Sequence, residues 1–179
     1  MLEIIVGPVQ CGKTTELIRR LNKYQESGKR VLYINSVLDT RCSDKSFSTH
    51  NTSITDIAFS GVKLDKLSGY DISGYDVLGI DEAQFFCDLK ESVVTWVDSG
   101  GKTVIVSGLD GDYRRERFGQ ISELLSYCDY ITKLVAPCSL CKKKGESGLG
   151  IFSKRLVSSR TTVLVGGSEM YLPVCRKCF

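Results

Sequence analysis

Leu2 to Val6 form an apolar run, "LEIIV", that gives way to "GPVQCGKTT", Gly7 to Thr15. The second string matches G-x-x-x-x-G-K-[ST], a loop whose backbone N–H groups surround phosphate oxygens between a strand and the start of a helix. That meaning depends on the flanks. Here "TTELIRRLNKYQESG" sets Leu17, Ile18, Leu21 and Tyr24 on one helical face, leaves Arg19, Arg20 and Lys23 off it, and places Gly28 to end the helix. Strand, glycine loop and helix follow in the order a phosphate loop requires.

The rest of the chain repeats this alternation. "RVLYIN" (Arg30 to Asn35) reads as a strand, and the long polar stretch "SVLDTRCSDKSFSTHNTS" after it is aperiodic, which suits a loop that touches substrate or moves. "DVLGIDE" (Asp76 to Glu82) is an apolar strand ending in two carboxylates. Leu89, Val93, Val94 and Val97 then recur at helical spacing before Gly100-Gly101. "KTVIVSGL" supplies another strand, "GQISELLSYC" sets Ile121, Leu124, Leu125 and Cys128 on one helical face, and "YITKLVAPC" supplies a last apolar strand. Such alternation predicts an α/β fold: a parallel sheet with helices on both faces and ligands beyond the carboxyl ends of the strands. Gly7 and the Asp81–Glu82 pair both fall at such ends. From Cys138 onward, glycines, short alternating runs ("IFSKRLV", "TTVLVGG") and paired cysteines predict a second, small β unit.

Composition narrows the function classes. The chain has 179 residues, enough for one domain with a small appendage. Its formal net charge of +3 is dispersed, with local clusters only at Lys142 to Lys144 and Arg114 to Arg117, whereas a polyanion binder concentrates its basic residues on one face. No apolar run reaches the roughly 18 residues of a membrane span, and the N-terminus lacks the order of a signal peptide. An intracellular setting is expected, without membrane or nucleic-acid partners. Eight cysteines in a reducing compartment then point to metal before disulfides.

Three groups of residues carry the chemistry. Gly7, Pro8, Val9, Gln10, Cys11, Gly12, Lys13, Thr14 and Thr15 form the nucleotide loop, in which Lys13 neutralises phosphate charge and the Thr14 hydroxyl ligates magnesium. In "VLGIDEAQFF", Asp81 is the second magnesium carboxylate and Glu82 the general base toward an attacking hydroxyl or water. Adjacent carboxylates repel each other unless a cation or proton is shared, so a purely structural role is costly. Cys138-x-x-Cys141 and Cys175-x-x-Cys178 each offer two thiolates to one tetrahedral zinc, with 33 residues between the pairs that need structure of their own, for which a hairpin fits. Four thiolates leave no open position, so this zinc is structural, and such sites contribute on the order of 10 kcal/mol to folding. Cys11, Cys42, Cys87 and Cys128 lack such pairing and read as packing or loop residues. His50, the single histidine, sits in the polar loop. Phe85 and Phe86 suit either the core or an aromatic wall for a planar ligand.

Taken together, the phosphate loop, "IDEAQFF", "LDGDYRRERFG" and the split cysteine pairs resemble the cytosolic-type (type II) thymidine kinases, in the same order and from Leu2 to Cys178. The resemblance implies a RecA-like P-loop domain (residues 1–136) and a zinc-binding lasso domain (residues 137–179) that closes over the nucleoside. It also implies transfer of the γ-phosphoryl of ATP to the 5′-hydroxyl of thymidine. Residue by residue, Lys13 and Thr14 would hold ATP and magnesium, Asp81 the metal, and Glu82 would be the base. Arg41 would lie near the transferred phosphoryl and Asp39 in the substrate pocket, where it counts among both the ATP-binding and the substrate-binding residues. His50 matches a histidine of the family's loop without acquiring a role. Phe85, Leu109 and Tyr113 would line the base pocket, with Ser153, Leu164 and Gly166 from the lasso near the base and Tyr171 near the sugar. A homotetramer, feedback by dTTP and a cytoplasmic setting are further implications.

Four positions depart from that family's pattern. Val9 replaces a methionine that packs beside thymine, Ala83 a glycine, Tyr113 a phenylalanine and Ser153 a threonine. A base pocket widened at Val9 and a looser preference for thymidine over deoxyuridine are expected, with the phosphoryl-transfer residues untouched. One residue follows the last cysteine, so no regulatory tail is expected. The "IDEAQ" string also resembles the box of helicase motors, an alternative reading in which a P-loop ATPase acts on nucleic acid. Such motors need two RecA-like domains. A GTPase would need N-K-x-D, and the nearest string, "NKYQ", ends in glutamine on the first helix. A non-catalytic zinc-ribbon module would not need Lys13, Asp81 and Glu82 intact.

Overall fold

A computed structural model describes residues 1–39, 59–158, 161, 164, 166, 167 and 169–179. Six parallel strands form the central sheet: β1 (Leu2–Val6), β2 (Val31–Ser36), β3 (Ser60–Leu64), β4 (Val77–Ile80), β5 (Thr103–Gly108) and β6 (Tyr130–Lys133), in the order β3-β2-β4-β5-β1-β6. The α/β fold with a parallel sheet is as the sequence predicts.

The apolar runs are continuous because the sheet is covered on both faces, and alternate residues divide between two cores. Ile4, Leu32, Ile34, Val104 and Val106 face one side with α2 (Leu89–Val94). Ile5, Val31, Tyr33 and Ile105 face the other, where Leu17, Ile18 and Leu21 of α1 (Lys13–Glu26) pack on them. Both sets are fully buried or nearly so.

Arg20 fastens α1 to the sheet. Its guanidinium donates to Glu3 of β1 at 2.6 Å, to Glu16 at 2.8 Å and to the Thr132 hydroxyl of β6 at 2.9 Å, with only 17% of its side chain exposed. Arg20→Ala is expected to lower the unfolding free energy by about 2 kcal/mol, because partly buried acceptors on three elements lose a charged donor. A urea titration checks this, and a loss below about 0.5 kcal/mol would place Arg20 with ordinary surface pairs. The Arg19 hydrogen bond, opposed by partial burial and joined by Arg20, holds the Glu16 carboxyl at about 2, below the usual 4.5. Its stabilising contribution is therefore complete above about pH 4.5 and is lost as pH falls toward 2.

Three segments differ from the sequence-based reading. "GQISELLSYC" forms only a 3-10 turn, Ile121–Leu124; its i,i+3 ends point inward, while Leu125 is half exposed. The α2 helix stops at Val94 and relaxes into a π turn, Thr95–Ser99, before Gly100. "YITKLVAPC" divides between edge strand β6, where Tyr130 and Ile131 are exposed, and β7 (Ala136–Pro137). The sheet also has an edge strand, β3, that sequence reading misses, since only Val62 and Leu64 are apolar in "SGVKL" and all of it is at most half-buried.

The small β unit follows. β7 pairs with β8 (Leu149–Gly150), and β9 (Phe152–Arg155) pairs antiparallel with β10 (Tyr171–Val174), α3 (Ser139–Lys143) lying between β7 and β8 in sequence. "IFSKRLV" thus contains β9, whereas the described residues of "TTVLVGG" (Thr161, Leu164, Gly166, Gly167) lie in no strand. No described helix is long and apolar enough to cross a membrane.

Candidate active site

The carboxyl ends of β1, β4 and β5 converge, because β5 lies between the other two. At the end of β1 the chain turns through Gly7 to Gly12, whose φ of +86° lets the loop enter α1 in a conformation that side chains rarely adopt. The Lys13 ammonium is buried and donates to the Pro8 carbonyl at 2.7 Å, with the Cys11 sulfur at 3.9 Å. Burial pushes the Cys11 thiol upward against the pull of Lys13, which keeps it protonated near neutral pH.

Asp81, at the end of β4, is 1% exposed. Its Oδ2 accepts from the Thr14 hydroxyl at 2.7 Å and from the Tyr33 hydroxyl at 2.9 Å, and its Oδ1 from Ser107 at 2.8 Å and the Glu82 N–H at 3.0 Å. All four donors are neutral. Burial, then the charge of Glu82, raises the Asp81 carboxyl, and the three hydroxyls oppose that rise. A buried carboxylate paired with a loop threonine is a hard oxygen donor set that fits magnesium. Thr14 and Asp81, distant in sequence, are thus brought together.

Glu82 is buried and adopts φ +47°, ψ +40°, a strained conformation for a non-glycine residue. Its Oε2 accepts from the Gln84 side chain at 2.6 Å, and the same amide's Oε1 accepts from the Leu109 N–H at 3.0 Å. One buried amide therefore spans from the carboxylate to a residue expected in the base pocket. Gly119, at φ +65°, packs on the Gln84 backbone so closely that a Cβ there would overlap it. Gln84, Tyr33 and Ser107 were not among the expected site residues. "IDEAQFF" does contain Gln84, two residues after Glu82, whereas Tyr33 and Ser107 carry no local signal and join the site only through the sheet.

Other expected residues divide as follows. Asp39 is fully buried and accepts from Asn35 at 3.0 Å, while Lys63 donates to its backbone carbonyl at 3.0 Å. Arg41, Cys42 and His50 lie outside the described residues. Phe86 is a core residue, whereas Phe85 is partly exposed and meets Phe118 edge-on at 5.8 Å. Leu109 and Tyr113 are partly exposed at the end of β5. The buried Ser153 hydroxyl of β9 accepts the Val9 N–H at 3.0 Å, and the Gln10 side chain donates to the Tyr171 carbonyl at 3.1 Å. Two interior residues of the phosphate loop are thus bound to the small β unit, so the Val9 N–H is directed at Ser153. The Tyr171 hydroxyl donates to the Leu164 carbonyl at 2.7 Å, and Gly166 packs against Met170.

Cys138, Cys141, Cys175 and Cys178 bring four sulfurs within 4.8 Å of one another, with Cys141 at 3.7 Å from Cys175 and 3.6 Å from Cys178. Tetrahedral zinc–thiolate bonds of about 2.3 Å place sulfurs roughly 3.8 Å apart, so the cluster fits the ion. Hydrogen bonds among the sulfurs, first that with Cys138, push the Cys141 thiol up to about 12. Burial opposes ionisation of Cys138, yet backbone N–H groups of Cys141 and Cys175 pull it down to about 6. Four crowded thiols cannot all ionise without a cation, and zinc removes that conflict. Cys11, Cys87 and Cys128 are free and stand apart from this cluster.

A family model described as thymidine kinase matches residues 1–179. "Thymidine kinase a" of Arabidopsis thaliana is 39% identical over 184 residues, covering 98% of this chain and 73% of that protein. The thymidine kinase of raccoon poxvirus is 36% identical, covering 99% and 96%. The cytosolic thymidine kinase of Cricetulus griseus is 36% identical, covering 99% and 72%. With its phosphate loop, paired carboxylates and four-cysteine cluster in one matched span, the chain belongs to the thymidine kinase family.

Proposed function

We propose that this chain transfers the γ-phosphoryl of ATP to the 5′-hydroxyl of thymidine, giving dTMP and ADP in nucleotide salvage. The observation that carries this reading is the contact between the phosphate loop and the small β unit. The bonds from the Val9 N–H to Ser153 and from Gln10 to Tyr171 support a reading in which a donor cradle and an acceptor pocket share a wall. Phosphoryl transfer asks mostly for positioning and charge neutralisation, and adjacent sites supply the first.

In this mechanism the loop from Gly7 to Thr15 holds the phosphates and Lys13 neutralises their charge. Thr14 and Asp81 would hold magnesium, which supplies further neutralisation when bound. Glu82 takes the proton of the 5′-hydroxyl as that oxygen attacks phosphorus and ADP leaves. Gln84 holds the Glu82 carboxylate in place through a hydrogen bond to its Oε2. Arg41 and Asp39 act at the reacting groups. Phe85, Leu109 and Tyr113 from residues 1–136, with Ser153, Leu164, Gly166 and Tyr171 from residues 137–179, enclose the nucleoside. Cys138, Cys141, Cys175 and Cys178 would hold zinc and so anchor both ends of that second segment. The reading extends to acceptance of deoxyuridine through a pocket widened at Val9, to a cytoplasmic homotetramer and to inhibition by dTTP.

A coupled assay of ADP release with ATP, magnesium and a nucleoside panel tests this. Thymidine-dependent release, with deoxyuridine second, is expected. Release that ignores nucleosides but responds to single-stranded DNA would favour a P-loop motor instead.

A further inference from the structure

The proposed nucleoside wall contains a residue with no role so far. Arg155 closes β9 and lies directly opposite Tyr171 in the antiparallel register with β10, so the two side chains are cross-strand neighbours. Its Nε and Nη2 donate to the Tyr171 hydroxyl at 3.0 and 2.7 Å, and its Nη1 donates to the Thr161 carbonyl at 2.6 Å. The face of the same guanidinium lies 3.7 Å from the ring centre of Tyr113. Tyr113 comes from the other part of the chain, on a turn that Asp112 holds through the Arg114 and Glu116 N–H groups at 2.7 and 2.9 Å.

The Tyr171 hydroxyl has one proton to donate and two lone pairs. The proton goes to Leu164 and both lone pairs face Arg155, so its hydrogen-bonding capacity is used within the chain. Tyr171 therefore offers a nucleoside its ring, at an angle fixed by Arg155, and no free hydroxyl. Arg155 touches two of the expected pocket residues, Tyr113 and Tyr171, and the Tyr171 hydroxyl extends the network to a third, Leu164. Only a planar cation with several donors can stack on one ring while donating to the phenol of another.

The geometry points to Arg155 as a positioning residue for the nucleoside: it joins the turn carrying Tyr113 to the Tyr171–Leu164 side of the pocket and sets the shape that thymidine meets. The inference rests on the thymidine kinase reading above, and wild-type turnover of thymidine is the control that separates the two. If wild type shows none, that reading fails. With wild type active, Arg155→Ala is expected to raise the KM for thymidine at least about tenfold and leave the KM for ATP within about twofold, since its described contacts are with Tyr113, Thr161 and Tyr171. Arg155→Lys keeps the charge but loses the planar fork, and is expected to recover less than half of the loss on a logarithmic scale.

Tyr171→Phe provides a milder variant should Arg155→Ala fold poorly. It removes the shared hydroxyl alone and is expected to raise the thymidine KM about fivefold with the ATP KM unchanged. The double variant is expected to fall short of the product of the two single effects, because both break one network. An unchanged thymidine KM in Tyr171→Phe and Arg155→Ala, equal rises in both KM values, or full rescue by lysine would each overturn the assignment.

Discussion

Replacement of Glu82 by glutamine is expected to lower kcat for thymidine by about 10³-fold while ATP binds within about twofold of wild type. Glutamine has nearly the same shape, so the strained turn at φ +47° and the packing around it persist. It can still accept the Gln84 hydrogen bond, which leaves the link to Leu109 intact. What disappears is a carboxylate able to take the proton of an attacking hydroxyl. In the proposed reading ATP is held by Lys13 and the loop amides, which follow β1, two strands from β4 in the sheet. Single-turnover phosphoryl transfer and ATP binding by calorimetry would separate the two effects. A kcat reduced by less than about tenfold would remove Glu82 as the base and leave it with a structural role.

The other large effect concerns the cysteine cluster. Cys141→Ser is expected to abolish stoichiometric zinc and raise the thymidine KM by more than about tenfold, with a smaller change for ATP. Cys141 interacts with all three of the other sulfurs, and its small unit has a core of few residues: Cys138, Cys141 and Val174, with Leu140, Phe152, Leu172 and Phe179 around them. So small a core cannot replace a metal site worth on the order of 10 kcal/mol. Neither core of the α/β part contains a residue of this unit, so the sheet should unfold in its own transition near the wild-type temperature. Metal analysis, calorimetry and the two KM values check the three parts. Equal rises in both KM values would contradict the anchoring role, because the loop from Gly7 to Thr15 stays joined to β1 and α1 when its two bonds to the small unit are lost.

Much of the architecture was legible because its signals are local. "LEIIV", "RVLYIN", "VLGI" and "TVIVSG" are apolar on both faces, as buried parallel strands are, and Gly12 with Lys13 and Thr14 marks the entry to α1. Weaker segments were misread where tertiary surroundings outweighed pattern. β3 pairs through its backbone at an edge and needs few apolar residues, so "SGVKL" gives little sign of it. The helical face in "GQISELLSYC" is real at Ile121 and Leu124, but a four-residue turn buries those two and leaves Leu125 in solvent. The partner of β9 was hidden for a similar reason: "TTVLVGG" alternates better than "YLPV", yet the backbone ladder is made by the latter.

The sequence by itself determined the order of elements and the identity of the reactive groups, since a glycine loop, adjacent carboxylates and paired cysteines each occupy a few neighbouring residues. It could not determine which of them meet. Thr14, Tyr33, Ser107 and Asp81 converge because three strand ends lie side by side in the order β2-β4-β5, next to the loop that follows β1. Gln84 links Glu82 to Leu109, and Arg155 gathers Tyr113 and Tyr171, only after the chain has folded back on itself. Periodicity reports which face of an element is buried, whereas contacts between distant segments follow from strand order and packing, which no local window contains.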